Sequence, residues 1–193
     1  MTAGFQIKRY ADVLAALTPE GCDAFGRALD DIFFASSNTQ SFASPQARAG
    51  FRERWLGRYL THDPQWAYVA LTPEGAVAGY LAGCVEDPAR TPRFADIGYF
   101  GTFATLTARY PAHLHINLGD RYRSGGIGSA LVARFCADAA DAGALGVHVV
   151  TSRGARNVRF YERNGFRETG AMGEGPKEVV FLAKALGKSC GHT

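Results

Sequence analysis

The feature that most constrains this fold is a glycine-rich turn between a strand pattern and a long helix pattern. The turn reads RYRSGGIG over residues 121–128, after HLHINL at 113–118 and at the start of the helical pattern of 126–142. Such a turn directs several unpaired backbone N–H groups and the positive end of the helix dipole to one point. The pattern therefore predicts an anion site, and phosphate is its natural occupant.

The segments around the turn predict an α/β (α+β) chain. Strand 112–118, helix 126–142 and strand 147–151 form a strand–helix–strand unit that implies a parallel or splayed pair with a right-handed crossover. The stretch WAYVALTPEGAVAGYLAGCV predicts a hairpin of strands 66–71 and 76–85. The other predicted elements are a strand at 5–10, helical spacing from Val13 to Phe33, a helix opened by Ser44 and Pro45, a structured aromatic loop at 86–111, a helix at 155–163 and an exposed edge strand at 179–184.

Composition excludes several classes of protein. A length of 193 residues predicts one domain, with parts at 1–65, 66–111, 112–166 and 167–193. No run is long and apolar enough for a membrane span, and the start MTAGFQIKRY lacks the apolar core of a signal peptide, so we expect a cytoplasmic protein without a membrane partner. The net charge of +3 is small and its arginines are dispersed, which predicts no nucleic-acid partner.

The four cysteines, which lie far apart in sequence, do not predict a disulfide framework or a metal site. They stand at Cys22, Cys84, Cys136 and Cys190, with no C-x-x-C pair. We expect free thiols and no bound metal.

Three phosphate-binding patterns compete for the turn. A P-loop requires a lysine after its last glycine, and none follows Gly128. The dinucleotide fingerprint requires a third glycine where this chain has Leu131, and no acidic residue ends the next strand. The remaining pattern, R-x-x-G-x-G, is satisfied by Arg123, Gly126 and Gly128.

Through this pattern the chain resembles the GNAT acyltransferase superfamily, whose pyrophosphate loop reads [RQ]-x-x-G-x-[GA]. NVRFYERNGF at 157–166 resembles the second cofactor segment of that family, although the usual asparagine lies a turn earlier than Asn157, where this chain has Gly154. The resemblance covers 112–166 and extends to the hairpin. It implies the GNAT fold, a mixed central sheet with a splayed parallel pair and helices on both faces. YPAHLHINL is more loosely similar to bacterial acetyltransferase-like domains related to the O-GlcNAcase C-terminal region.

The resemblance implies acetyl-CoA as the acyl donor. Backbone N–H groups of the turn would surround its pyrophosphate, with glycines where a Cβ would block close approach. The tyrosine of the second segment would protonate the departing thiolate, a catalytic role that falls to Tyr161. The residues that the resemblance places on the cofactor are Ile116, Leu118, Arg123, Ser124, Gly125, Gly126, Ile127, Gly128, Ser129, Asn157, Phe160, Tyr161 and Arg163.

A base is also needed, because an alkylammonium must lose a proton before its nitrogen can attack a thioester. Strand 112–118 places His113, His115 and Asn117 on one face, and a polar face on such a strand predicts a cleft. Histidine has a suitable ordinary pKa, so His115 is the first candidate base, with His113 and Asp120 behind it.

Together with these residues, the resemblance implies a direct N-acetyltransferase for a primary amine of a small molecule or peptide. Many family members place a glutamate near this strand, and residues 112–119 contain none. A catalytically weak acyl-CoA-binding or sensing module therefore stays open, as does an O-acyltransferase. Acceptor specificity is expected in 34–60 and 86–111, from an aromatic wall with Trp55 and Tyr59 and from the acidic side chains of Glu86, Asp87 and Asp96. A homodimer formed through strand 179–184 is also open.

Overall fold

Seven strands form a mixed sheet in the computed structural model, which describes residues 4–187. The strand order is β1-β2-β3-β4-β5-β7-β6. Strand β4 occupies the predicted residues, and the hairpin is confirmed within one residue at each end. The strands are β1 Gln6–Arg9, β2 Ala67–Leu71, β3 Val77–Cys84, β4 Ala112–Leu118, β5 Gly146–Ser152, β6 Arg167–Met172 and β7 Val179–Ala185.

Eight α-helices flank the strands in the described part of the chain. They are α1 Tyr10–Ala15, α2 Pro19–Ser36, α3 Pro45–Arg52, α4 Arg58–His62, α5 Gly98–Thr102, α6 Ala104–Thr107, α7 Ile127–Asp141 and α8 Asn157–Arg163. A π-helical segment, Glu53–Gly57, joins α3 to α4. None of the described helices has the length and apolar character needed to cross a bilayer.

Local sequence signals set the helix boundaries in the N-terminal third. The helical spacing from Val13 to Phe33 is divided between two helices, because Thr18 caps α2 by accepting a hydrogen bond from Gly21 N at 3.2 Å. The predicted start of α3 is confirmed, since the Ser44 hydroxyl accepts from Ala47 N at 3.1 Å. In both helices proline stands at the first position, where its missing N–H leaves no unmet bond.

The chain divides into two compact units, which are described separately. The first contains residues 4–83 and 115–135 of the described chain, including β1, β2, β3 up to residue 83 and most of α7. Its core is apolar and fully enclosed: Leu56, Tyr68 and Leu131 are buried, and Tyr68 packs edge-on against Phe135 at 6.4 Å between ring centroids. Burial of a large apolar side chain contributes about 1.5–3 kcal/mol, so these residues hold the helices on the sheet.

The second unit contains residues 84–114 and 136–187 of the described chain. An aromatic cluster forms its core, in which His148 stacks on Phe181 at 4.5 Å and lies 5.5 Å from His113. The loop at 86–111 is ordered, as predicted, because Phe94 and Phe100 are buried in this cluster. Among the described cysteines, Cys84 and Cys136 are buried free thiols and Cys22 is partly exposed, whereas Cys190 lies outside the described residues.

The parallel pair expected between β4 and β5 is confirmed. Its register joins Ala112 to Val147 and His113 to His148. Pairing over two residues of each strand is the short contact expected of a splayed pair. Gly143, with φ of +87°, ends α7 as predicted, and Ala144 N donates to Ala139 O at 2.9 Å.

The prediction of an exposed edge strand at 179–184 is wrong. β7 pairs with β5 on one side and with β6 on the other, so its N–H and C=O groups are bonded on both sides. The edge is β6, which the sequence analysis did not identify as a strand. Its residues RETGAM include two charged side chains and a glycine, because an exposed edge does not require alternating apolar positions.

Candidate functional site

The glycine-rich turn opens α7 in an unusual backbone conformation. Ser124 has a φ of +66°, the one positive φ among the described non-glycine residues, and Gly126 follows with a φ of +82°. The first bond of the helix runs from Ala130 N to Gly126 O at 3.0 Å. A hydrogen-bonded turn at 123–124 closes at Gly125, and within residues 4–187 no backbone carbonyl accepts from the N–H groups of 126–129. The turn therefore presents a row of donors at a helix N-terminus, which is the geometry of an anion nest.

Arg123 is held beside this turn by two contacts. Its guanidinium lies 2.8 Å from the Asp120 carboxylate and donates to the Ser36 hydroxyl at 3.5 Å. The arginine side chain is 44% exposed, so its charge also faces solvent. The ion pair fixes the side chain next to the turn and occupies Asp120, the third candidate base, as the partner of a cation.

His115 forms a polar and aromatic group with two side chains of the helical run that begins at Pro45. Its Nε2 lies 3.1 Å from the Tyr59 hydroxyl, and the Trp55 ring meets it edge-on at 5.4 Å. Burial, with a further contribution from Arg58, lowers the pKa of His115 to about 4. The imidazole is therefore neutral at physiological pH, and one ring nitrogen keeps a lone pair that can accept a proton.

The two side chains that reach this histidine are four residues apart, a spacing that places them on one face of a helix, and the π-helical segment carries the first of them. A π turn holds more residues than an α turn and rotates the following side chains, and such insertions are frequent at functional sites. Glu53–Gly57 contains Trp55 and ends one residue before α4, which carries Tyr59. The sequence analysis assigned Trp55 and Tyr59 to an aromatic wall of the acceptor site and missed the hydrogen bond between Tyr59 and His115. A buried tyrosine requires a partner for its hydroxyl, which was the available signal.

The other polar residues of β4 have different surroundings. Asn117 donates to the Tyr80 hydroxyl at 2.7 Å and is thus part of a side-chain network in the first unit. His113 is 2% exposed and packs against Phe94 at 4.8 Å in the second unit. The predicted polar cleft face is therefore wrong at His113, because aromatic rings cover this position. Ile116 and Leu118 remain partly exposed.

The second segment predicted to bind the cofactor lies in the second unit. Tyr161 is 5% exposed and packs between Phe160 and Phe166, with ring centroids at 5.2 and 5.4 Å. Burial raises the pKa of Tyr161, so its hydroxyl keeps its proton across the physiological range. Asn157 accepts a hydrogen bond from Thr151 at 3.0 Å, and the side chain of Arg163 is exposed in the last turn of α8.

Comparison with known proteins identifies the family. A family model described as an acetyltransferase (GNAT) domain matches residues 65–168, more than half of the chain. The chain belongs to the GNAT acetyltransferase family. The matched residues include the hairpin, the turn and the whole second segment, so the resemblance noted from the sequence is confirmed.

Solved structures share the GNAT fold over nearly the whole chain. SsHAT is 21% identical with a TM-score of 0.68, covering 95% of this chain and 99% of that one. A GNAT superfamily phosphinothricin acetyltransferase from Sinorhizobium meliloti, solved in complex with AcCoA, is 19% identical with a TM-score of 0.60, covering 100% and 93%. An N-acetyltransferase from Staphylococcus aureus Mu50 is 14% identical with a TM-score of 0.60, covering 95% and 99%. At these identities the likeness concerns the fold.

Proposed function

We propose that this protein is an acetyl-CoA-dependent N-acetyltransferase that transfers acetyl directly to a primary amine. The observation that carries the proposal is the turn at 124–129, where the four consecutive N–H groups of 126–129 lack a backbone acceptor within the described chain. Donors of this kind at a helix N-terminus fit an anionic group such as the pyrophosphate of coenzyme A. The acetyl-CoA bound to the S. meliloti relative supports the same ligand class.

The residues present at the turn fit this donor substrate. A Cβ built at Gly126 would point into open space, whereas its φ of +82° admits glycine far more readily than other residues. Arg123 adds a cation beside the turn. We assign contacts with the turn to Ser124, Gly125, Gly126, Ile127, Gly128 and Ser129, contacts with the rest of the donor from β4 to Ile116 and Leu118, and contacts from the second segment to Asn157, Phe160, Tyr161 and Arg163.

His115 is the residue that we assign as proton acceptor. In the reaction the amine nitrogen forms a bond to the acyl carbon while the bond from that carbon to sulfur breaks, and the nitrogen must also release a proton. A free ammonium is too weak an acid for a base with a pKa of about 4, so the acceptor has to bind as the neutral amine. Once the N–C bond forms, the nitrogen becomes far more acidic, and the neutral imidazole of His115 can take its proton.

Tyr161 is the residue that we assign as proton donor. The departing sulfur carries the electron pair of the broken bond and needs one proton to leave as a thiol. The raised pKa of Tyr161 ensures that its hydroxyl still holds that proton at neutral pH. His115 takes up one proton and Tyr161 releases one, so the net charge of the protein does not change. Proton exchange with solvent then returns both side chains to their starting states.

Thermal unfolding with and without acetyl-CoA tests the proposal, with ATP as the control phosphate ligand. Donor at about 100 times its dissociation constant should add about 2.7 kcal/mol of stability, a shift of several degrees in Tm. Release of free thiol with a panel of primary amines then measures transfer. Stabilisation by acetyl-CoA without any amine-dependent turnover would replace the enzyme with a sensing module, and equal shifts with ATP would remove the donor assignment.

A further inference from the structure

Two adjoining cavities lie in the first unit, where the end of α2 meets the start of α3. The larger has a volume of about 650 Å³ and the smaller about 370 Å³, and both are lined by Thr39 and Phe42. Most of the remaining lining is apolar. We call this surface the aromatic groove and define it by Phe34, Thr39, Phe42, Pro45, Arg48 and Phe51.

The charge of the aromatic groove has one sign. Arg48 lines the larger cavity and Arg54 the smaller, and no aspartate or glutamate lines either one. The Arg48 guanidinium lies 3.4 Å from the centroid of the Phe34 ring, a cation–π contact that aligns it with the groove wall. Among residues 4–187, no carboxylate pairs with Arg48. An apolar surface with an unneutralised guanidinium is complementary to a ligand that has an apolar body and an anionic group.

The groove is held in shape by its own contacts. The Gln40 side chain donates to the Phe34 carbonyl at 3.5 Å and also to the Ser37 carbonyl, and it thereby closes the end of α2. Phe42 packs against Phe34 at 5.9 Å and against Phe51 at 5.3 Å. Because these side chains are already ordered, a ligand would lose less free energy to their immobilisation on binding.

Two residues that line the groove lie close in the chain to residues that contact the assigned site. Ala35 lines the larger cavity, and the next residue, Ser36, accepts the hydrogen bond from Arg123 beside the turn. At the other end, Phe51 lines the smaller cavity and lies one turn before Trp55, whose ring meets His115 at 5.4 Å. The groove therefore shares its helices with a residue that contacts Arg123 beside the turn and with a residue that contacts the proton acceptor.

From this placement we infer that the aromatic groove binds the acyl acceptor, and that the acceptor is a primary amine with a carboxylate on an apolar or aromatic body. Arg48 would bind the carboxylate, and the rings of Phe34 and Phe42 would contact the body. The inference rests on the proposed function, because it names the substrate class of the same reaction.

Steady-state transfer to matched pairs of amines tests the inference. The pairs are phenylalanine with phenethylamine and leucine with isoamylamine, which differ by the carboxylate alone. We expect higher kcat/KM for the amino acid in each pair. Arg48→Gln should raise the KM of the amino acids about tenfold and leave the KM values of the neutral amines and acetyl-CoA unchanged, since one charge-assisted hydrogen bond is lost. Arg109→Gln is the control, because Arg109 is also exposed and lies over a ring, at 5.6 Å from Tyr110.

Equilibrium binding separates this inference from the proposed function. N-acetylphenylalanine and N-phenethylacetamide keep the same bodies and differ by the carboxylate, so thermal shifts with these two compounds do not require turnover. Preferential binding of N-acetylphenylalanine that is lost in Arg48→Gln would support the groove even in a protein without activity. Three outcomes would overturn the groove assignment: equal binding of both compounds, a preference for the neutral amines, or a raised KM for acetyl-CoA in Arg48→Gln. None of them would contradict the proposed function, because stabilisation by acetyl-CoA and turnover could still be observed.

Discussion

His113 and His115 stand two residues apart on β4, and different side chains surround them. His113 is enclosed by Phe94, Phe100 and His148 in the aromatic core of the second unit. His115 contacts the Tyr59 hydroxyl and Trp55 in the first unit and is only partly buried. Strand alternation places two residues on one face but does not determine which side chains cover them. Histidine is thus part of the aromatic core at position 113 and a candidate proton acceptor at position 115.

The largest expected difference between the two histidines concerns stability in acid. The folded pKa of His115 is about 4, below the ordinary 6.5, so the unfolded chain binds more protons between these values. The contribution of neutral His115 to the free energy of unfolding is full above about pH 6.5 and lost as the pH falls to 4, at most about 3 kcal/mol. Urea unfolding at pH 7 and pH 4.5 should show a smaller acid loss in His115→Gln than in wild type. Equal losses would show that His115 is not the group that titrates.

The second prediction concerns activity. His115→Gln should lower kcat about 100-fold, the usual scale of general base catalysis, while stabilisation by acetyl-CoA is retained. His113→Phe keeps an aromatic ring in the core of the second unit and should keep kcat within a few-fold of wild type. Thiol release with a responsive amine measures both. If His113→Phe were the more damaging variant in a protein that still binds acetyl-CoA, the roles given to the two histidines would be reversed.

A third prediction extends the comparison to the two ends of α7. Gly126 precedes the helix with a φ of +82° and Gly143 follows it with a φ of +87°, and a Cβ at either would meet open space. Alanine at either position should reduce stability by a similar amount, about 1–2 kcal/mol, because of the positive φ. Gly126→Ala should in addition weaken acetyl-CoA binding about tenfold. Calorimetric titration of both variants checks this, and equal affinities would mean that the turn does not contact the donor.

The smallest expected effect distinguishes two tyrosines. Tyr59→Phe removes the hydroxyl at His115 and should shift the pH dependence of kcat, because the hydrogen bond that orients the imidazole is lost. Tyr161→Phe removes the assigned proton donor and should lower kcat several-fold with the acidic limb of the pH profile unmoved. Profiles recorded for both variants from about pH 3.5 to 8, a range that includes the pKa of about 4 of His115, make the test. If the acidic limb of the pH profile shifted in Tyr161→Phe but not in Tyr59→Phe, the tyrosine coupled to His115 would be Tyr161 and our assignment to Tyr59 would be wrong.

The sequence predicted the elements whose own residues determine them. Strand 112–118, the hairpin, the helix that begins at Pro45 and the end of α7 at Gly143 follow from periodicity, caps and glycine positions, and the structure confirms them. The break between α1 and α2 was missed because apolar spacing continues across it.

Features that depend on tertiary partners were not predictable in the same way. β6 is a strand because it pairs with β7, and the π-helical segment has no recognisable sequence signal. The contact between Tyr59 and His115 joins residues that are 56 positions apart. The turn was predictable from the sequence because its glycines and arginine lie close together along the chain.

The edge position of β6 has a consequence for how this protein behaves in concentrated solution. Arg167 and Glu168 place charges on a strand whose outer hydrogen-bonding groups would otherwise template pairing with another chain, and a register shift between Glu168 and Gly170 interrupts its regularity. Arg153 holds Glu168 through two hydrogen bonds at 2.8 and 3.2 Å. Charged side chains at such an edge disfavour pairing with the edge of another chain, and apolar replacements at 167 and 168 would remove that protection.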